Sequence, residues 1–138
     1  MQTGPGAPPD MVRWIPRNAE NSDCAITALQ LATGLTYEAV LAAALNVVPG
    51  VLTKGMSMAN LKRVAAELGF AASWKRKYDI SEATGLLYVE TKKEGHVVYL
   101  WEGRVIEPLS QSLWRDPADY ARCEGLRIGS LLVLRGDE

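Results

Sequence analysis

The sequence predicts an α+β fold, with a helical half first and an antiparallel sheet after it. Three observations carry this. Between Cys24 and Gly69 the apolar residues recur at spacings of three and four, the period of helices with one buried face. From Phe70 onward the apolar segments are short and β-branched or aromatic, as in strands. Tight-turn signals such as Glu102-Gly103 separate them. Helices segregated from a run of strands give an α+β architecture.

The elements follow in order. Met1 to Asp10 is rich in Gly and Pro and reads as a flexible leader. Residues 11–138 are one domain. Met11–Ile15 is a short strand or packed arm, ended by Pro16. Asn21, Ser22 or Asp23 caps a first helix, Cys24 to Thr33, with Gly34 at its close. Thr36 caps a second helix, from Tyr37 to about Leu45, and Asn46 to Gly55 is a loop. Ser57 caps a third helix, in which Met58, Leu61, Val64, Ala65 and Leu68 share a face.

Strands are expected at Phe70–Trp74, Gly85–Glu90, His96–Trp101, Arg104–Glu107 and Arg127–Leu134, with one helical turn at Ser81–Thr84. Gln111 to Tyr120 reads as irregular or weakly helical. There is no internal repeat.

Bulk properties exclude several function classes. The 138 residues suit one domain with a real core. The net charge is -1, which gives no reason to expect nucleic acid or an anionic membrane as partner. No apolar run approaches the ~20 residues needed to span a bilayer. The start of the chain lacks the basic and apolar regions of a secretory signal. The expected compartment is the cytoplasm. His96 is the only histidine and there is no Cys-x-x-Cys pair, so no metal site is expected. No Gly-rich phosphate loop is present, and no cofactor is expected.

Chemistry points first to Cys24. At the start of a helix, the free amides and the dipole stabilise a thiolate. Otherwise Cys24 is a small buried residue, as many free cysteines are. Next comes the pair His96 and Glu107. If Glu102-Gly103 is a two-residue hairpin loop, Trp101 faces Arg104 and Val98 faces Glu107. Side chains alternate along strands, so His96 and Glu107 become diagonal neighbours on one face, about 7–8 Å apart. Glu107 is then expected to accept a hydrogen bond from His96 Nδ1–H, which fixes the tautomer and leaves Nε2 facing outward to take a proton from a thiol. The bland alternative is a surface histidine beside a solvated edge carboxylate.

Other features have bland readings beside functional ones. Lys75-Arg76-Lys77 and Lys92-Lys93 form a basic patch or, more simply, solvated turns. Trp74, Trp101 and Trp114 line a groove or pack against the core. Cys123 is expected to be inert.

The order of these groups resembles a known family. A cysteine heads a helix, a histidine begins a later strand, and a carboxylate ends the next. Asp23-Cys24, Gly55–Lys62, Leu68-Gly69-Phe70, Gly95–Leu100 and Val105–Pro108 carry the resemblance. Together they make the chain similar to papain-like cysteine peptidases. The likeness is greatest to the leader-peptidase domains of bacteriocin-exporting ABC transporters, which cut after double-glycine leaders, and to their stand-alone relatives.

The resemblance implies a thiol hydrolase acting on a peptide or protein substrate, with Cys24 as nucleophile, His96 as acid and base and Glu107 as its orienting group. It implies Asn18 as oxyanion donor, with Asn21 as the alternative. Three positions depart from the family. Ala25 replaces the usual Gly, Glu107 the usual Asp, and Asn18 the usual Gln. Loss of such an amide donor costs about 10²–10³ in rate in a known protease. The alternatives are a binding module on the same fold, or an acyltransferase.

Overall fold

The computed structural model describes residues 24–51, 56–92, 95–107 and 112–136. The expected leader, the arm at 11–15, and Asn18 and Asn21 lie outside them.

Helix α1, Cys24–Thr33, is buried on nearly every side: Ala25, Ile26, Thr27, Ala28, Leu29, Gln30, Ala32 and Thr33 are all inside. Its two inward threonines satisfy their hydroxyls on the helix itself. Thr27 Oγ1 donates to Cys24 O at 3.0 Å and Thr33 Oγ1 to Leu29 O at 2.6 Å. Helix α2, Tyr37–Val47, runs two residues past its expected end and buries only Val40 and Ala44. Thr36 caps it by accepting from the Ala39 amide at 3.1 Å. Helix α3, Met58–Glu67, begins at Ser57, which accepts from the Asn60 amide at 3.2 Å. Its buried residues are Leu61, Val64 and Ala65.

Among the described residues, six strands then form one antiparallel sheet. They are β1 Phe70–Lys75, β2 Gly85–Glu90, β3 Gly95–Trp101, β4 Arg104–Glu107, β5 Ser112–Trp114 and β6 Arg127–Gly136. Their order across the sheet is β1-β6-β2-β3-β4-β5. On one face, α1, α2 and α3 pack on Leu86, Val97, Tyr99, Ile106, Leu132 and Leu134. The other face buries Leu87, Val89, Val98, Leu100, Val105 and Leu131 with Tyr120. Both faces of β3 are therefore covered, which is why its sequence is apolar almost without a break.

The β3–β4 hairpin fixes the site's parity. Trp101 pairs with Arg104, Leu100 with Val105 and Tyr99 with Ile106, as a two-residue loop requires. Glu102 and Gly103 both have positive φ, 45° and 80°, as in the mirror-image turn that matches strand twist. The loop is pinned from outside. Gly103 N donates to Ala83 O at 3.0 Å and Glu102 N to Thr84 Oγ1 at 2.9 Å. A Cβ at Gly103 would collide with the Ser81 carbonyl. The 79–84 segment starts its turn at Asp79, two residues before the expected Ser81. The Asp79 carboxylate accepts from Ser81 N, and its carbonyl from Glu82 N and Ala83 N.

The region from Ser112 onward is more ordered than the sequence suggests. β5 pairs with β4, setting Glu107 opposite Ser112. Helix α4, Pro117–Glu124, follows and continues past Tyr120. Asp116 caps it, accepting from Ala118 N at 2.9 Å, and Gly125 closes it in the left-handed region at φ 66°. The helix is hard to read because only Pro117 and Tyr120 are buried, so it has no apolar stripe.

Candidate active site

The hairpin parity brings His96 and Glu107 together. One further step of the register sets Glu107 opposite Val98, and His96 lies two residues earlier on the same face. Glu107 is 3% exposed, and its carboxylate faces the imidazole. His96 Nε2 lies 2.8 Å from Oε1 and 2.7 Å from Oε2. The nitrogen is not the one expected. Nδ1 is close to the backbone and falls short across a diagonal pair, whereas Nε2, at the far end of the ring, spans the gap. Nδ1 is therefore the nitrogen left to serve a thiol.

Cys24 supplies that thiol. It opens α1 and is half-buried, not sealed in the core. First-turn amides of a helix have no acceptor within the helix, so anionic character is favoured there. The Cys24 side chain hydrogen-bonds to His96. Burial alone would pull the pKa of the ring down. The hydrogen bonds to Cys24 and Glu107, and the charges of both, override burial and push it up to about 10. A ring so placed holds its second proton at neutral pH.

A fourth residue, Tyr120, joins them from α4. Its hydroxyl donates to Glu107 Oε2 at 2.5 Å. The side chain is 1% exposed, and its ring meets Trp114 edge-on with centroids 5.6 Å apart. Burial, then the hydrogen bond and charge of Glu107, hold the phenol in its neutral, donating form, with its pKa well above 10.0. The sequence signals for its helix were Asp116-Pro117 at the start and Gly125 at the end. Nothing in them points at Glu107.

The remaining candidates fall elsewhere. Asn18 lies outside the described residues. Trp74 and Trp101 are half-buried against the helix-side core, and Trp114 against the opposite one. The Arg104 guanidinium stacks over Trp101 at 5.5 Å. Lys75, Arg76, Lys77 and Lys92 are exposed. Cys123 is a free, exposed thiol. Among the described residues no group of three or more His, Cys, Asp or Glu is arranged to hold a metal ion. No helix among them is long and apolar enough to cross a membrane.

Compared with known proteins, the chain matches no protein-family model and no curated protein sequence.

Proposed function

We propose that this protein is a papain-like cysteine peptidase or a related amide hydrolase acting on a peptide or protein. The observation that carries the reading is one unbroken relay of side chains, Cys24 to His96 to Glu107. A partly exposed thiol at a helix start, an imidazole that keeps its proton and a buried carboxylate behind it make up the machinery of thiol acyl transfer. The order of helical half before sheet is also that of the resemblance.

In this reading Cys24 is a thiolate paired with the protonated His96. The sulfur attacks the substrate carbonyl carbon, and the carbonyl π pair moves onto oxygen. The Cys24 amide and the Asn18 side chain are the oxyanion donors assigned to this step. As the C=O bond re-forms, the C–N bond breaks and the leaving amine takes a proton from His96. Water then attacks the thioester and gives its proton to the ring. The S–C bond breaks, which frees the acid product and restores the ion pair. Glu107 stays ionised and holds the ring in place throughout. With an amine in place of water, the same steps make an acyltransferase.

A second reading, a peptide-binding module on the same fold, is favoured by Asn18, whose arm is one methylene shorter than the family's Gln. The test is to incubate the protein with a pooled peptide library and follow cleavage and the intact mass of Cys24. We expect cleavage that disappears in Cys24→Ala and His96→Ala, and iodoacetamide labelling of Cys24 far faster than of Cys123. No cleavage, with equal slow labelling of both thiols, overturns the hydrolase reading and leaves the binding module.

A further inference from the structure

We propose that Tyr120 is a positioning residue of this site. Its hydroxyl, given to Glu107 Oε2 from α4, keeps the carboxylate ionised and aimed at His96 while the ring gives and takes its proton.

The argument starts from the carboxylate's surroundings. Glu107 is 3% exposed, and a charge so buried needs donors in place of water. His96 Nε2 and Tyr120 Oη are two such donors. His96 alone cannot hold the geometry. Both carboxylate oxygens lie almost equally far from one nitrogen, at 2.8 and 2.7 Å, so the ring contact leaves rotation about the last bond of Glu107 weakly determined. The phenol breaks that symmetry by binding Oε2 alone.

The phenol also matters electrically. When His96 surrenders a proton to a leaving group, a carboxylate whose only donor was the ring loses its counter-charge. The Tyr120 hydroxyl remains, so the anion stays stabilised through the step. Among the described residues, the charged and titratable groups that act on this cluster include His96 from β3, Cys24 from α1, and Tyr120 from α4 with Glu124 behind it. Glu124 disfavours ionisation of Tyr120, which reinforces its role as donor.

The catalytic consequence rests on the hydrolase reading, but the effect on the thiol does not. The test uses the full chain carrying Cys123→Ser, so that iodoacetamide reports Cys24 alone. Its alkylation rate is followed from acid to alkaline pH in the Cys123→Ser parent and in Tyr120→Phe, which removes one oxygen and keeps the ring against Trp114. Losing a hydrogen bond to a charged group shifts an equilibrium about tenfold or more, so we expect a rate about tenfold lower at neutral pH. The acidic limb should shift upward, because the carboxylate takes up a proton more readily. In a Glu107→Gln background the same substitution should change nothing further. Trp114→Phe, which loosens the aromatic contact and spares the hydroxyl, should lower the melting temperature and leave the profile alone.

A Tyr120→Phe profile that overlays the parent overturns the proposal, as does an equal loss in the Glu107→Gln background. Peptide cleavage read in parallel separates the two readings. If the parent cleaves nothing yet Tyr120→Phe shifts the profile, the hydrolase reading fails and the positioning role stands. If the parent cleaves and Tyr120→Phe leaves both kcat and the profile unchanged, the positioning role fails alone. Where both hold, kcat falls while KM stays.

Discussion

Because His96 is the only histidine in the chain, its titration can be followed by imidazole NMR with no assignment problem, and it tests the electrostatics of the site directly. The ring's rise from 6.5 to about 10 corresponds to ~5 kcal/mol of preference for the protonated form, at ~1.4 kcal/mol per tenfold. Burial opposes it, so Cys24 and Glu107 together supply at least that much. A hydrogen bond to a charged group is worth about 1.5–3 kcal/mol, so Glu107→Gln should lower the midpoint by about one to two pH units, and Cys24→Ala should lower it too. A parent ring that titrates near 6.5, or a midpoint unmoved by Glu107→Gln, refutes the reasoning.

The same titration fixes a stability dependence. In Cys24→Ala, His96 gains a proton on folding and no sulfur loses one. Its folded pKa stays above 6.5 because Glu107 remains. The stabilisation is then fully present below pH 6.5 and is lost as pH rises through the folded midpoint. If the parent holds the thiolate–imidazolium pair proposed above, the sulfur loses a proton on folding as the ring gains one, and the two slopes oppose each other near neutrality. Urea unfolding of both proteins at several pH values should show a falling line for the variant and a flatter one for the parent.

Two further outcomes concern the frame of the site. Gly103→Ala should destabilise the fold by ~1–3 kcal/mol, since φ there is 80° and the added methyl meets the Ser81 carbonyl; urea midpoints measure it. Gly95→Ala should cost ~1 kcal/mol or more, because its Cβ would occupy the position of the Tyr88 hydroxyl and ring edge. Loss of the Tyr88 contact with Glu90 should appear as increased Tyr88 exposure to solvent-borne quenchers.

Much of the site was legible because a hairpin loop is a parity device. Once Glu102-Gly103 is taken as two residues, the faces of His96 and Glu107 follow without any knowledge of the rest of the chain. Which ring nitrogen meets the carboxylate did not follow, since that depends on side-chain reach rather than on register. Helices α1 to α3 announce themselves by spacing and caps. Helix α4 reads as no more than a weakly helical stretch ending at Tyr120, despite its Asp-Pro start and Gly stop, because exposed Arg122, Cys123 and Glu124 leave no stripe to read. Nothing in that stretch singles out Tyr120, whose contact with Glu107 arises only when α4 docks beside β4. The strand order was also unreadable locally. Both neighbours of β6 are remote in sequence, and both its faces carry core residues.

That strand order has a consequence for how the protein is made. β6 comes after every other described strand, yet it lies between β1 and β2. Until residues 127–136 leave the ribosome, β1 has no partner and β2 offers an open backbone ladder. The nascent chain must carry these loose edges while translation continues, and pairing of such separated segments is slow. The sheet is completed by filling a gap in its middle, and that wait is when the unfinished chain most needs a chaperone's cover.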